Sequence, residues 1–328
     1  MKNISILGAG RVGATMALDL ARDPAFRVTV ADVSETALAR LTARDIGVQT
    51  RDLARAEREV GGSARVLPWS LSPGATRRAW EGELGGAAVV NLAGAGVMDA
   101  AWTRSRMDEL RSSRIDVTLA IAEAMARTRA PDSVLVSASA VGIYGMRDDD
   151  EIQTEDSPAA SGFLARLCVD WEAAAEPARA AGVRVVHPRL GIVLGRNGGG
   201  LAEMARPFRL HAGGPIGSGK QWVSWVHERD VVEAIWLAIE SRSMVGPYNF
   251  VAPSPVTMHE EAAIMAKVLH THARARVPSF ALKLVLGSGR AELVLSGQRA
   301  SSARLASAGH VFAFPELEAA LVDLLGRP

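Results

Sequence analysis

The stretch that decides the fold is Ile-Ser-Ile-Leu-Gly-Ala-Gly-Arg-Val-Gly at residues 4–13. It opens with a short apolar run and continues with glycines spaced as G-x-G-x-x-G. Apolar side chains then recur at helical spacing from residue 11 to residue 22. The order strand, glycine-rich turn, helix predicts the first unit of a sheet that binds a dinucleotide.

Glycines at these positions let the backbone turn tightly and come close to a diphosphate, which the free N–H groups at the start of the helix then bind. The candidate cofactor-binding residues of this turn are Gly8, Gly10, Arg11, Val12 and Gly13. Taken alone, the motif is also compatible with a tight turn that binds nothing. An acidic residue about 20 positions further on is the second part of the dinucleotide signature, and the chain has one.

That acidic residue is Asp32, at the end of the β-rich run 27–31. Its carboxylate would accept hydrogen bonds from the ribose hydroxyls of NAD and repel the 2′-phosphate of NADP. Arg51 favours the other cofactor, because a guanidinium beside the ribose is the usual partner of that phosphate. A solvated surface charge is the alternative for Arg51. The residues therefore predict NAD or NADP and do not choose between them.

Short apolar runs separated by helical stretches continue along the chain. Strands are expected at residues 66–69, 88–92, 133–137 and 183–186, and helices at 107–129, 163–181 and 317–325. Such alternation predicts an α/β fold, a Rossmann-type doubly wound parallel sheet covered by helices on both faces. Residues 47–50 and 64–69 compete for the third strand, one candidate more than a simple unit needs, which indicates an irregular insertion.

The regularity decreases after residue 195. Residues 1–195 are therefore assigned to a dinucleotide-binding domain, and residues 196–328 mainly to a smaller C-terminal lobe that binds substrate. A strand at residues 248–251 is expected to return to the large sheet. Asp230 is expected to cap a helix over residues 231–240, because an aspartate accepts the free N–H groups of a first turn.

The composition is that of an ordinary folded protein. The 328 residues are 48% hydrophobic and 22% charged, and 37 basic against 36 acidic residues leave a net charge of +1. So small a net charge argues against nucleic acid or a membrane as partner and favours a small-molecule substrate, with formation of a homo-oligomer left open. No apolar run approaches the ~18 residues of a membrane span.

Cys168 is the only cysteine. It cannot form a disulfide within the chain, and one thiol is too few for a structural zinc site. No group of histidines with metal-ligand spacing accompanies it, so no metal is expected. A reducing compartment, the cytoplasm, fits this cysteine usage.

Many ordered segments of the chain match one known group. They include Asn91-Leu92-Ala93-Gly94, Ser112-Ser113-Arg114, Ser137-Ala138-Ser139-Ala140, Trp171-Glu172, Trp225-Val226-His227 and Gly297-Gln298-Arg299. From about residue 50 onwards the chain resembles the atypical extended short-chain dehydrogenase/reductase group called epimerase family proteins, which includes the YfcH-like proteins. The residues before that point resemble the amino-terminal segment of saccharopine-dehydrogenase-like Rossmann proteins. The chain therefore reads as a fusion of two cofactor-binding halves.

The resemblance implies two further sets of ligand-binding residues. The set near the cofactor comprises Asn91, Leu92, Ala93, Gly94, Glu109 and Arg114. The set near the substrate comprises Lys220, Gln221, Trp222, Trp225 and His227. The alternatives are a surface pair for Glu109 and Arg114 and, for the second set, a loop anchored by tryptophans with a capping histidine.

The resemblance also exposes a missing acid–base pair. Most dehydrogenases of the superfamily use Tyr-x-x-x-Lys on a helix, and the matching positions here are Leu164 and Cys168. The remaining catalytic candidates are Ser139, at the position of the superfamily's catalytic serine, and Tyr144. Ser139 would hydrogen-bond a substrate carbonyl and Tyr144 would donate a proton, although a packed loop tyrosine is the alternative for Tyr144.

These observations predict an NAD(P)-dependent oxidoreductase or epimerase of the extended short-chain type with a non-standard active site. Its substrate would be a small polar molecule, a nucleotide-sugar being one candidate. The alternative is a non-catalytic protein that senses NAD(P), which the loss of the Tyr and Lys favours. In either case the nicotinamide ring would carry any hydride chemistry, and the protein would bind and orient it.

Overall fold

The computed structural model describes residues 2–7, 26–31, 46–50, 67–68, 80–128, 132–196, 200–273, 275 and 277–326. Several of the predicted cofactor residues lie outside these ranges, namely Gly8, Gly10, Arg11, Val12, Gly13, Asp32 and Arg51. The helix expected over residues 11–22 lies outside them as well. The strands on either side of these residues are described, and they fix where the chain leaves and re-enters the sheet.

The strands, in chain order, are β1 Lys2–Leu7, β2 Phe26–Ala31, β3 Ile46–Thr50, β4 Leu67–Pro68, β5 Ala88–Asn91, β6 Val134–Ser137, β7 Ser139–Ala140, β8 Ile152–Gln153, β9 Arg184–Leu190, β10 Ile192–Leu194, β11 Trp222–Val223, β12 Trp225–His227, β13 Gly246–Phe250, β14 Val256–Thr257 and β15 Arg299–Ala300. The large sheet has the order β13-β9-β6-β5-β1-β2-β3-β4, and β7 pairs with β9. Its neighbouring strands all run parallel. The predicted parallel sheet is confirmed.

Both candidates for the third strand belong to the sheet. The chain adds β2, β3 and β4 outward from β1, and Gln49 of β3 lies opposite Leu67 of β4. The extra apolar stretch therefore lengthens the sheet by one strand at its edge. The chain then returns to β5 on the other side of β1, where Leu7 lies opposite Asn91.

The helices are α1 Arg104–Thr128, α2 Phe163–Ala173, α3 Glu176–Ala180, α4 Gly200–Arg209, α5 Glu228–Glu240, α6 Met258–Val268, α7 Ser279–Leu286, α8 Ser288–Leu295, α9 Ala303–Ser307 and α10 Leu317–Leu325. The single helix expected over residues 163–181 is in fact two, α2 and α3, with Pro177 in the first turn of the second. A proline is tolerated there because its missing N–H would have no partner within the helix. The irregular second half contains α4, α6, α7 and α8, which the sequence did not predict.

Asp230 does not cap the helix that it was expected to begin. Helix α5 starts at Glu228, and the Nδ1 atom of His227 accepts a hydrogen bond from the N–H of Arg229 at 3.0 Å. The carboxylate of Asp230, buried in the first turn, instead accepts from the N–H groups of Ala313 and Phe314 at 2.6 and 3.1 Å. The prediction was wrong because a partner distant in sequence uses the aspartate.

Helices cover both faces of the sheet. On one face Val89, Leu135 and Val185 pack with Ile121 and Met125 of α1. On the other face Val90, Val136 and Val186 pack with Val231 and Ile235 of α5. Successive residues of each strand thus alternate between two apolar layers, as a doubly wound sheet requires. Among the residues described, no helix combines the length and the apolar character that crossing a membrane demands.

Candidate active site

The candidate site lies at the carboxyl end of β5, next to the end of β1. In open α/β sheets ligands bind outside the carboxyl ends of the strands, where the strand order reverses direction. The reversal here falls between β1 and β5, and the register places Leu7 opposite Asn91. The glycine-rich motif follows Leu7 directly in the sequence, so it and the loop after Asn91 start from the same point of the sheet.

Asn91 fixes the start of this loop from inside the protein. Its side chain is fully buried, and its Nδ2 atom donates to Thr118 Oγ1 at 2.8 Å and to Ser137 Oγ at 3.4 Å. Its Oδ1 atom accepts from the N–H of Ala93 at 3.2 Å. The side chain thus orders the turn, and the residues nearer the surface are Leu92 and Ala93, both half-buried, and Gly94, which is exposed.

Helix α1 holds the rest of the loop. Ser113 Oγ accepts from the N–H of Ala95 at 3.1 Å, and Arg114 Nη2 donates to the carbonyl oxygen of Ala95 at 2.9 Å. Arg106 donates in the same way to the carbonyl oxygen of Gly96. Ser113 and Arg114 therefore have a direct structural role, which is to position the backbone that follows β5.

Arg114 packs between the loop and helix α2. Its guanidinium lies 5.2 Å from the ring centre of Trp171, and a Cβ atom added to Gly94 would come within 2.9 Å of its Cζ atom. Glycine at position 94 therefore allows the close approach. Burial lowers the pKa of Arg114, although an arginine remains a cation at neutral pH. Glu109 pairs with Arg106 at 2.7 Å instead of with Arg114.

Ser139 lies in a buried hydrogen-bond network. Its Oγ atom donates to Glu172 Oε1 at 2.6 Å. Arg189 binds the same carboxylate through Nε at 2.9 Å and Nη2 at 3.0 Å. Burial by itself would raise the pKa of Glu172, but the hydrogen bonds and charge of Arg189 outweigh it, and the pKa lies below its usual range. Glu172 is therefore a carboxylate, and the hydroxyl proton of Ser139 is directed toward it.

Tyr144 lies in the same network. Its hydroxyl donates to Asn249 Oδ1 at 2.7 Å and accepts from Arg189 Nη1 at 3.0 Å. The side chain is 1% exposed, and burial raises its pKa. The network continues through Asn249, whose N–H donates to Glu155 Oε1 at 2.7 Å. This is the arrangement of a packed tyrosine, and it joins the loop after β6 to strand β13.

The positions of the missing acid–base pair lie on helix α2. Cys168 is buried, and burial raises the pKa of its thiol to about 12. Leu164, one turn earlier, is half-buried. The thiol is neutral at physiological pH and offers no charge in place of an ammonium group. The chain therefore lacks a proton donor and a cation at these two positions.

The residues predicted for the substrate side have different surroundings. Lys220 is exposed. Gln221 is buried and donates to the carbonyl oxygens of Ile216 and Val294 at 3.1 and 2.9 Å. Trp222 is half-buried, and its Nε1 atom donates to Asp150 Oδ1 at 2.8 Å. Gln221 thus ties the loop at residues 213–219 to helix α8.

Trp225 and His227 lie inside the second half of the chain. Trp225 is 1% exposed and donates to the carbonyl oxygen of Ser254 at 3.1 Å. His227 caps α5, stacks on Phe314 with ring centres 3.9 Å apart, and approaches Asp323 to 3.3 Å. These contacts are those of the anchored loop and capping histidine that the sequence left as the alternative.

The sequence did not reveal all the residues that support the candidate site through hydrogen bonds. Arg189 and Asn249 hold the network of Ser139 and Tyr144, yet neither was singled out. Ser113, which holds the loop after β5, was named only as part of a segment that matches the family. One signal was present, because Arg189 is a charged residue in a run of strand residues. A charge in a buried strand indicates a paired polar network.

The comparisons with known proteins agree with this geometry. Residues 4–251 match the model of the NAD dependent epimerase/dehydratase family. The chain belongs to this family. Residues 277–324, which contain α7, α8, α9 and most of α10, match a domain of unknown function, DUF1731. The predicted resemblance to epimerase family proteins is confirmed, and the match includes the amino-terminal residues for which a different origin was expected.

Named relatives extend over most of the chain. The chain is 38% identical over 282 residues to "Epimerase family protein SDR39U1 homolog, chloroplastic" of Arabidopsis thaliana, covering 84% of this chain and 78% of that one. It is 39% identical over 241 residues to epimerase family protein ML0860 of Mycobacterium leprae, covering 74% and 78%.

Among solved structures, human epimerase family protein SDR39U1 (isoform 2) with NADPH is 29% identical, with a TM-score of 0.77 over 98% of both chains. A nucleoside-diphosphate sugar epimerase of Corynebacterium glutamicum is also 29% identical, with a TM-score of 0.71 over 99% of this chain and 58% of that one. Both likenesses support the Rossmann-type α/β fold described above.

Proposed function

We propose that the protein binds a nicotinamide dinucleotide between the ends of β1 and β5 and uses it for redox or epimerase chemistry on a small polar substrate. The observation that carries the proposal is the register of Leu7 against Asn91. It brings the start of the glycine-rich motif to the loop that Asn91, Ser113 and Arg114 hold in place. The human relative solved with NADPH, which matches over 98% of both chains, supports the same ligand class.

The residues at this point fit a dinucleotide. Gly94 is exposed, and its lack of a side chain lets the guanidinium of Arg114 pack directly against the backbone of this loop. We propose that backbone N–H groups of Gly8, Gly10, Arg11, Val12 and Gly13 hold the diphosphate, and that Leu92, Ala93 and Gly94 contact the rest of the cofactor. When bound, the nicotinamide ring supplies or accepts the hydride.

The preference between NAD and NADP rests on two residues that follow neighbouring strands. Asp32 follows β2 and Arg51 follows β3, and Ala31 lies opposite Gln49 in the register of these strands. Both positions therefore begin at one edge of the sheet. Asp32 favours NAD, whereas Arg51 and the NADPH of the human relative favour NADP.

For the proton that redox chemistry on an alcohol or carbonyl requires, we propose Ser139 and Tyr144. Their hydroxyls are linked through Glu172 and Arg189, so a change at one hydroxyl alters the hydrogen bonds of the other. We propose that Lys220 and Trp222, which are exposed and half-buried respectively, lie on the substrate side. The buried residues of the predicted set hold the segment that carries them, namely Gln221, Trp225 and His227.

A second candidate function is an NAD(P)-sensing protein that turns nothing over. The observation that favours it is the engagement of both hydroxyl protons, since Ser139 donates to Glu172 and Tyr144 donates to Asn249. Leu164 and Cys168 add no acid or base. Cofactor binding without reduction of any carbonyl substrate in a broad panel would favour this candidate over the enzyme.

The test of the proposal is titration of the purified protein with NADH and NADPH, followed by nicotinamide fluorescence. Saturable binding that Gly10→Val abolishes is the expected result, because a side chain there keeps the diphosphate away from the backbone. Gly85→Ala is the matched control, since a Cβ atom at Gly85 would make only ordinary contacts at 3.8 Å with Thr128. A wild-type protein that ignores both nucleotides at millimolar concentration contradicts the proposal.

The same titration decides the cofactor. If Asp32 binds the ribose of NAD, Asp32→Ala weakens NADH binding and leaves NADPH binding unchanged or stronger. If Arg51 binds the 2′-phosphate, Arg51→Ala weakens NADPH binding alone. The two variants therefore give opposite changes in the ratio of the two dissociation constants.

We further propose that the protein works in a reducing compartment, the cytoplasm, because Cys168 is a free thiol. The Arabidopsis relative has "chloroplastic" in its name. Formation of a homo-oligomer is measured directly by light scattering of the purified chain.

A further inference from the structure

Among the described residues, Arg114 and Arg104 of helix α1 have no acidic partner, and of the two only Arg114 is half-buried. Arg106, two turns earlier, lies 2.7 Å from Glu109 and 3.8 Å from Asp99. Arg111 pairs with Asp170 at 2.8 Å. For Arg114, by contrast, no ion pair is found in the part of the chain that the structure describes.

The guanidinium of Arg114 is held by neutral groups. Its Nη1 atom donates to the carbonyl oxygen of Leu110 at 3.2 Å and its Nη2 atom to that of Ala95 at 2.9 Å, while Trp171 offers a ring face at 5.2 Å. The nearby Cys168 is a neutral thiol. A half-buried cation without a counter-charge is costly, and an anion that binds beside it recovers part of that cost.

The position of Arg114 in the fold indicates whether an anion beside it would belong to the cofactor or to the substrate. In a dinucleotide fold the diphosphate binds at the turn after β1 and the adenosine ribose at the end of β2. Helix α1 follows β5, and Trp171 belongs to α2, which follows β6. Arg114 therefore lies on the opposite side of β1 from β2, toward the nicotinamide half of the cofactor and the substrate.

Resting on the proposed function, we propose that Arg114 forms a subsite for an anionic oxygen group of the substrate, a carboxylate or a phosphate. A guanidinium carries five N–H donors in a planar fork, and the two contacts to Leu110 and Ala95 fix its orientation. The same contacts keep it packed against the backbone of Gly94, an exposed residue of the loop after β5. The substrate class is thus a small anionic alcohol or carbonyl compound.

The test is calorimetric titration of the full chain with inorganic phosphate and, separately, with malonate, each in the presence and absence of NADPH. The compared proteins are wild type, Arg114→Gln and the control Arg111→Gln, which removes an exposed arginine of the same helix. Arg114→Gln is expected to weaken anion binding at least about tenfold, the effect of losing a charged hydrogen-bond donor. NADPH binding should weaken much less than anion binding, because the only part of the cofactor site that Arg114 supports is the loop after β5, through the carbonyl oxygen of Ala95.

Each outcome of these titrations either supports the anion subsite at Arg114 or overturns it. Preference for phosphate or for malonate identifies the anionic group, and Arg111→Gln should behave as wild type in both arms. Equal anion binding by wild type and Arg114→Gln, or none by wild type, overturns the proposal. Loss of NADPH binding in Arg114→Gln with anion binding unchanged makes Arg114 a cofactor residue and overturns it too. If the wild-type protein binds the anion but neither NADH nor NADPH, the proposed function is refuted. The anion site at Arg114 is still supported in that case.

If Arg114→Gln does not fold, Arg114→Lys replaces it. An ammonium keeps the charge but cannot make the same planar pair of contacts. Anion binding weaker than wild type, with a cooperative thermal transition retained, is then the expected result. Binding equal to wild type contradicts the subsite.

Discussion

Arg189 and Glu172 form a two-point ion pair, with Nε 2.9 Å from Oε1 and Nη2 3.0 Å from Oε2. The side chains are 8% and 16% exposed. Arg189 comes from β9 and Glu172 from α2, so the pair joins the sheet to the helix that covers the candidate site. Glu172 also accepts a hydrogen bond from Ser139, and Arg189 donates one to the hydroxyl of Tyr144.

Removing one member of this pair should destabilise the protein strongly. Arg189→Met leaves the Glu172 carboxylate buried without its partner, and the free energy of unfolding should fall by about 3–5 kcal/mol. Urea unfolding followed by circular dichroism measures the change. The control is Arg179→Met, which breaks the exposed pair with Glu176 and should have little effect. Equal effects of the two substitutions would show that the buried pair has no special role.

Substitution of the two network hydroxyls tests the proposed chemistry. Ser139→Ala and Tyr144→Phe should each lower turnover about a hundredfold while cofactor binding stays the same, because each removes a proton donor. The measurement is NADPH oxidation with a panel of small anionic carbonyl compounds. Ser112→Ala, an exposed serine on α1, serves as the control. Unchanged turnover in both variants removes the proposed roles.

The only thiol should be inert in the native protein. Burial raises the pKa of Cys168 to about 12, so the thiolate is scarce at pH 8, and reagents cannot reach it. A colorimetric disulfide reagent should react about a hundredfold faster in guanidinium chloride than in buffer, because unfolding restores an ordinary thiol. Rapid reaction of the native protein would contradict the buried position of the side chain.

Stability should fall as the pH drops below about 6.5, the usual pKa of histidine. Burial lowers the pKa of His187, His227 and His310 in the folded protein. The unfolded chain therefore binds more protons than the folded one in this range. The stabilisation is complete above the unfolded pKa and is lost as the pH falls, with a slope of at most about 1.4 kcal/mol per pH unit and histidine.

His227 provides the specific test of this pH dependence. Its Nδ1 atom accepts the N–H of Arg229, so protonation of this nitrogen removes the cap of α5. His227→Asn retains a capping side chain but does not titrate. The melting temperature of the variant should vary less between pH 5 and 7 than that of wild type, as calorimetry would show. Identical pH profiles would exclude His227 as a contributor.

Helices and strands of this chain could be predicted from its sequence, whereas contacts between distant residues could not. The helix at residues 317–325 and the strand at 88–92 were recognisable because apolar periodicity is a property of neighbouring residues. The partners of the candidate catalytic residues were not. Ser139 binds a residue 33 positions away, and Tyr144 binds one 105 positions away.

The sequence by itself determined the fold class and the family, since both depend on short motifs and apolar periodicity. Only the tertiary structure decided that residues 46–50 and 67–68 are both strands of one sheet. It also decided that Asp230 binds Ala313 and Phe314 instead of its own helix. Hydrogen-bond partners and counter-charges come from whichever segments the packed core brings together, and no local pattern specifies them.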